Sequence, residues 1–168
     1  MNKNQFLELS TKYTAIPVYK RLLADVLTPV SFFMNIREQA RNPFLLESVE
    51  GGEQLARYSF LGRNPYQTLH FDGEKTTLTS NEGKIEIDRP YFDELKAQTT
   101  KYSEPEIPEL PRLTGGAVGF SAYDTFRLVE DLPNVPEDDL GLPEAIWCFY
   151  DEIYAFDHVK HQVILIKT

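Results

Sequence analysis

The chain has 168 residues, of which 42% are hydrophobic, so it is long enough to bury one good core. A net charge of −9 argues against binding nucleic acid through its phosphates and against an anionic membrane surface, because both need clustered Lys and Arg. No apolar run approaches the roughly 20 residues of a membrane span. The start of the chain is polar with no signal-peptide pattern, and Cys148 is the single cysteine, so we expect a cytoplasmic protein.

The first clear element is a helix that begins at Thr28 and Pro29. Thr28 can cap the helix, and Pro29 suits the first helical position because its missing N–H has no partner there. The apolar residues that follow predict an inward face formed by Val30, Phe33, Met34 and Ile36.

Short β-strands follow. Residues 44–49 and 57–61 predict antiparallel neighbours on either side of the glycine pair Gly51-Gly52. Turn residues at Asp72-Gly73 and Asn81-Glu82-Gly83 then divide residues 66–71, 76–79 and 84–87 into a meander of hairpins.

A second helix is predicted over residues 91–102, with its apolar face formed by Tyr91, Phe92, Leu95 and Tyr102. Three prolines between residues 105 and 111 exclude a helix or a central strand there, so that segment is predicted to be an extended connector.

The last third is predicted to be mainly β. Residues 113–120 are glycine-rich and expected to be buried, and residues 146–156 and 162–166 predict two paired strands. We expect the final strand to be an unpaired edge that promotes weak self-association, in a chain that is part of a longer protein. The prediction is an α+β fold, with antiparallel β-sheets packed together and a few peripheral helices, forming a single domain over residues 1–168.

Several motifs favour a structural interpretation. Residues 115–120 lack the spacing of a phosphate-binding loop, so their glycines are interpreted as allowing close packing of a strand. The acidic residues at 130–131 and 137–139 are interpreted as a solvated loop, the histidines His70, His158 and His161 as surface and turn residues, and Cys148 as a buried thiol.

Glu47 and Ser48 are stronger functional candidates. They follow the apolar residues 44–46 directly, so a carboxylate and a hydroxyl would lie at the rim of a packed sheet. That combination suits a zwitterionic small molecule, whereas the structural alternative is a pair that caps neighbouring backbone groups.

Together, residues 44–50, 57–62, 114–120, 123–124 and 138–143 resemble the N-terminal region of anthranilate synthase component I, a chorismate-utilising enzyme family. The resemblance implies that the complete enzyme is a lyase of tryptophan biosynthesis, which converts chorismate to anthranilate with ammonia from a glutamine amidotransferase subunit. It places the catalytic residues and a Mg²⁺ ion in a C-terminal catalytic domain that this chain does not match. The chain alone is therefore expected to be inactive and to hold no cofactor.

The resemblance also implies that this region carries part of the feedback-inhibition site for L-tryptophan. Glu47 and Ser48 match the acid and the serine of that site, and the predicted tryptophan-binding set also includes Leu46, Tyr58 and Ser59. The chemistry of tryptophan indicates that Leu45, Tyr58 or Phe60 borders the indole ring. Arg57 is left outside this set because it can pair with a nearby acid. Two alternatives remain: the corresponding region of aminodeoxychorismate synthase component I, or a free-standing amino-acid-binding module.

Overall fold

The computed structural model describes residues 2–47, 57–135 and 137–168. Within them lie the helices α1 (Lys3–Leu9), α2 (Pro29–Arg37) and α3 (Tyr91–Thr99), and a 3-10 helix (Tyr123–Leu128). The strands are β1 (Val18–Leu23), β2 (Phe44–Leu46), β3 (Tyr58–Gly62), β4 (Gln67–Phe71), β5 (Thr76–Ser80), β6 (Gly83–Ile87), β7 (Gly116–Ser121), β8 (Ala145–Tyr150), β9 (Glu152–Asp157) and β10 (Gln162–Lys167).

The strands form two five-stranded sheets, in the orders β1-β10-β9-β3-β2 and β6-β5-β4-β8-β7. The predicted α+β class with antiparallel sheets and few helices is confirmed. The chain divides into two compact units. The first comprises Met1–Pro65, Lys101–Gly116 and Tyr150–Thr168, and the second comprises Tyr66–Thr100 and Ala117–Phe149. No helix in the described ranges is both long and apolar enough to cross a membrane.

Helix α2 covers one face of the sheet in the first unit. Its predicted start is confirmed, because the Ser31 amide donates to Thr28 Oγ1 at 3.1 Å and Pro29 occupies the first turn. Phe32 and Phe33 pack on a core of Leu61, Tyr154, Phe156 and Val163. Ile36 is buried, but Val30 and Met34 are exposed, so the predicted inward face was wrong for these two residues. The face that packs follows the spacing of Pro29, Phe32, Phe33 and Ile36 instead.

The hairpin meander is confirmed as β4, β5 and β6, which pair in sequence order. Leu69 and Phe71 of β4 are buried with Tyr91 of α3, and the rings of Phe71 and Tyr91 stack with centroids 4.9 Å apart. The predicted apolar face of α3 was wrong for Phe92, which is exposed, and for Tyr102, which lies beyond the helix end.

Glu94 of α3 is buried, whereas Phe92 and Tyr102 are exposed. Its carboxylate accepts hydrogen bonds from Arg89 at 2.8 Å and Gln98 at 2.6 Å. A buried acid satisfied in this way cannot be recognised from an apolar pattern.

The apolar run at residues 146–156 is two strands rather than one. It breaks at Asp151, so that β8 joins the sheet of the second unit and β9 joins the sheet of the first. The Asp151 carbonyl accepts the Thr168 amide at 2.8 Å, and its carboxylate contacts Lys167 Nζ at 2.7 Å. One polar residue in an apolar run is too weak a signal to reveal this change of sheet.

The last strand is not an edge. β10 pairs with β9 on one side and with β1 on the other, with Val18 opposite Lys167. The predicted pairing of residues 162–166 with the preceding strand is therefore confirmed, but the expectation of an unpaired edge was wrong. Its partner β1 comes from the other end of the chain and could not be inferred from local pattern.

The glycine-rich strand β7 lies at an edge of its sheet, and Phe120 is exposed, so the expected burial of this segment was wrong. The packing interpretation is nevertheless correct at one position. A Cβ atom at Gly119 would lie 2.0 Å from the carbonyl oxygen of Ile146 and 2.7 Å from the Cα of Trp147.

We therefore expect Gly119→Ala to lower the free energy of unfolding by about 2 to 3 kcal/mol, because the neighbouring backbone cannot move aside without disturbing β8. Urea unfolding followed by the fluorescence of Trp147, the single tryptophan, measures this change. Thr79→Ala, at an exposed position of β5, is the control and should change stability by less than about 0.5 kcal/mol. Equal stability of the two variants would contradict the close approach.

Candidate amino-acid-binding site at the ends of β2 and β3

Four of the five predicted site residues, Leu46, Glu47, Tyr58 and Ser59, lie where β2 ends and β3 begins. The two strands are antiparallel, with Leu46 opposite Phe60. Glu47 directly follows β2, and its side chain is exposed. Ser48 lies outside the described residues. Glu47 is thus an exposed acid at the end of β2.

One face of this strand pair is aromatic. Alternation along β3 and pairing with β2 put Leu46, Tyr58 and Phe60 on the same side of the sheet. The rings of Tyr58 and Phe60 are half-buried, with centroids 5.9 Å apart and planes inclined at 33°. Arg57 Cζ lies 4.9 Å from the centre of the Tyr58 ring. This face can therefore border a planar aromatic ligand, with a cation close by.

Ser59 has a different environment. It lies opposite Phe156 in the sheet, on the face that carries the α2 core, and only 2% of its surface is exposed. Its Oγ forms a hydrogen bond with His158 Nε2 at 2.7 Å. The Ser59 hydroxyl is thus used within the protein, where it connects β3 to the turn after β9.

Arg57 and Asp157 join the start of β3 to the end of β9. Arg57 Nε and Nη2 donate to the two carboxylate oxygens of Asp157, at 3.1 and 2.7 Å. Asp157 Oδ1 also accepts the backbone amides of Val159 and Lys160, at 3.1 and 3.2 Å, and the His158 amide donates to the Arg57 carbonyl. This bidentate pair, with an almost fully buried carboxylate, fixes the geometry beside Tyr58.

Burial and these contacts shift the pKa values of Asp157, Arg57 and Tyr58. Burial raises the pKa of Asp157, but the hydrogen bonds from Arg57 and from the Lys160 and Val159 amides outweigh it, so the pKa lies below its ordinary value. The hydrogen bond to Asp157 raises the pKa of Arg57. Burial, followed by the charge of Asp157, raises the pKa of Tyr58. Near neutral pH the ion pair is fully charged and Tyr58 is a neutral phenol.

The structure therefore brings Leu46 and Tyr58 together on one face, places Glu47 at the adjoining strand end, and puts Ser59 on the opposite face. Sequence reasoning missed Asp157 and His158, which hold the site together. Arg57 and Asp157 are 100 residues apart, and no local pattern connects positions so distant. The expectation that Arg57 pairs with an acid is confirmed.

The other candidate motifs are structural. Cys148 is buried in β8, and His158 lies in the turn between β9 and β10. In the acidic loop, Asp138 Oδ1 accepts the backbone amides of Leu140 and Gly141. Across the described ranges, no group of three or more His, Cys, Asp or Glu side chains could hold a metal ion.

Comparison with known proteins gives consistent matches. The chain is 42% identical over 159 residues to anthranilate synthase component 1 of Acetivibrio thermocellus, covering 94% of this chain and 32% of that protein. It is 37% identical over 170 residues to the Acinetobacter calcoaceticus protein of the same name, covering 96% of this chain and 34% of that protein. The chain thus spans about a third of the length of these curated relatives.

The fold has a solved counterpart. A crystal structure of anthranilate synthase component I from Streptococcus pneumoniae matches with a TM-score of 0.59 and 30% identity, over 89% of this chain and 31% of that one. No family model matches the chain. The resemblance to anthranilate synthase component I is confirmed by these similarities.

The ion pair leads to a stability prediction. We expect Asp157→Ala to lower the free energy of unfolding by about 3 kcal/mol, because it leaves Arg57 and two backbone amides without their acceptor. Asp157→Asn should cost less, since an amide oxygen can still accept from Val159 and Lys160. Urea unfolding followed by circular dichroism measures both variants. Equal losses of stability in Asp157→Ala and Asp157→Asn would contradict separate contributions from Arg57 and from the Val159 and Lys160 amides.

The same pair makes stability depend on pH. Because the pKa of Asp157 is depressed on folding, the unfolded chain binds the proton more readily, and the contribution is lost as pH falls through the folded-state pKa. The stability difference between wild type and Asp157→Asn should therefore be constant near neutral pH and shrink below about pH 4. A difference independent of pH would contradict a charged pair.

Proposed function

We propose, from its similarity to anthranilate synthase component I over nearly the whole chain, that this polypeptide is the N-terminal regulatory and scaffold part of such an enzyme. The complete enzyme would convert chorismate to anthranilate in the cytoplasm, with ammonia delivered by a glutamine amidotransferase subunit. The observation that carries this proposal is 42% identity across 94% of the chain. Because the relatives are about three times as long, the catalytic residues are assigned to the remaining two-thirds.

The ligand proposed for the strand ends is L-tryptophan. Its indole would lie against Tyr58 and Leu46, whose face of the sheet is aromatic and half-exposed. Its ammonium would be recognised by the exposed carboxylate of Glu47, and Ser48 would hydrogen-bond to a polar group of the amino acid. Ser59, already bonded to His158, would act indirectly by holding the start of β3 in place.

The metal is proposed to lie elsewhere. The ion would bind the substrate carboxylates in the catalytic two-thirds. The role left for this chain is regulation: tryptophan bound here would disfavour closure of the catalytic part on chorismate.

Binding is testable on the chain alone. We expect titration of isotopically labelled protein with L-tryptophan to shift the backbone amide signals of Glu47, Tyr58 and their neighbours, because a ring stacked on this face changes their local magnetic field. L-phenylalanine is the ligand control, and the amide of Trp147, in the second unit, is the internal control. Equal shifts with both ligands would contradict selective recognition of tryptophan.

Regulation requires a joined enzyme, defined here as a chimera in which this chain replaces the matching third of the Acetivibrio thermocellus protein. In it, Ser48→Ala should weaken inhibition of anthranilate formation by tryptophan by about tenfold, the effect of one lost hydrogen bond to a charged group. The exposed Ser10→Ala change is the matched control and should leave inhibition unaltered.

Two results would contradict this account. Unchanged inhibition in the Ser48→Ala enzyme would remove Ser48 from the site. An active joined enzyme that tryptophan does not inhibit would instead favour the aminodeoxychorismate synthase alternative, in which bound tryptophan would be structural.

A further inference from the structure

The 3-10 helix of the second unit has its polarity reversed. Thr125 faces inward: it is 6% exposed and donates from Oγ1 to the Ala122 carbonyl at 2.7 Å. Its apolar residues face solvent, with Tyr123 78% exposed and Phe126 51% exposed. A short helix that buries threonine and exposes aromatic rings is typical of an interface rather than of a free surface.

This arrangement is held in place by specific contacts. Arg127 Nε donates to Asp124 Oδ1 at 2.5 Å, and Arg127 Nη1 donates to the Leu132 carbonyl at 2.6 Å. The rings of Tyr123 and Phe126 lie nearly parallel, with centroids 6.4 Å apart. The helix therefore presents its apolar side chains in a defined geometry, which lowers the entropic cost of docking.

The apolar surface continues into a cleft of about 820 Å³, also within the second unit. Leu128 and Val129, which end and follow the 3-10 helix, line it together with Phe92 of α3, and all three side chains are exposed. Apolar groups from two separate elements thus converge on one depression.

The cleft is also negatively charged. Its two cations are already paired, Lys75 with Glu86 at 3.0 Å and Arg89 with the buried Glu94 at 2.8 Å. Glu74, Asp88 and Asp93 on its lining give it an excess of carboxylates. A complementary surface would carry apolar side chains flanked by Lys or Arg.

We propose that this docking surface, formed by the 3-10 helix and the adjoining cleft, binds the catalytic two-thirds of the enzyme, an inference that rests on the proposed function. The relatives are about three times as long as this chain, so a large covalently attached partner is available at high effective concentration. A second copy of this chain is disfavoured, because each copy carries a net charge of −9 and the cleft is itself negative.

Hydroxyl-radical footprinting tests this directly. Tyr123 and Phe126 should be oxidised readily in the isolated chain and about tenfold more slowly in the joined enzyme, as expected for side chains desolvated at the centre of an interface. Anthranilate formation is measured on the same sample. Protection that appears in the isolated chain and rises with its concentration would overturn the inference in favour of self-association.

Substitution supplies a second test. Phe126→Ser should change the thermal unfolding of the isolated chain only slightly, because about half of the residue is exposed. It should restore oxidation of Tyr123 in the joined enzyme. Asp88→Lys combined with Asp93→Lys should also restore oxidation of Tyr123 in the joined enzyme, because it removes the negative charge that a basic partner surface would contact. The control Val26→Ser, at a fully exposed position of the first unit, should change neither measurement.

The outcomes separate the two proposals. An active, tryptophan-inhibited joined enzyme in which Tyr123 and Phe126 remain reactive would overturn the docking surface and leave the proposed function standing. A joined enzyme that is inactive but protects both rings would overturn the function alone. Loss of both activity and protection would overturn both.

Discussion

The antiparallel pairing of β9 with β3 is the constraint on which the candidate site depends. It places Tyr58 opposite Asp157 and Ser59 opposite Phe156. Tyr58 therefore faces the side of the sheet that carries Leu46 and Phe60, and Ser59 faces the α2 core. β9 is itself held between β3 and β10. Because the partner strand is paired on both sides, the start of β3 has little freedom to shift in register.

The Arg57–Asp157 ion pair reinforces this constraint at the strand ends. A bidentate guanidinium–carboxylate pair fixes orientation as well as distance, and the backbone amides that follow Asp157 bind the same carboxylate. The half-buried ring of Tyr58, next to Arg57, is therefore held in a defined position. A ligand that orders little on binding loses less free energy to entropy.

Local chemistry predicted the local structure. Thr28 and Pro29 determine the start of α2, and the turn residues around Gly73 and Gly83 determine the β4–β5–β6 meander, because each acts within a few residues. Long-range pairing was not predictable. The change of sheet at Asp151 and the pairing of β10 with β1 depend on contacts between distant segments that no periodicity reports.

The site shows the same division. Leu46, Glu47, Tyr58 and Ser59 were predicted from the family resemblance, and the pairing of β2 with β3 places them at neighbouring strand ends. Alternation then separates Ser59 from Tyr58, and that distinction needs the register with β9. The roles of Asp157 and His158 depend on the pairing of β9 with β3, because each contacts a residue about 100 positions away in the chain.

The proposed regulation by tryptophan implies a reciprocal coupling between two ligands. If tryptophan bound at the strand ends weakens chorismate binding, chorismate must weaken tryptophan binding by the same factor. The most direct measurement is calorimetric titration of the joined enzyme with tryptophan, once in saturating chorismate and once without chorismate. Ammonia is left out of both titrations. Reciprocal coupling predicts a weaker affinity for tryptophan when chorismate is bound, by the factor found in the reverse titration. An affinity for tryptophan that is independent of chorismate would contradict it.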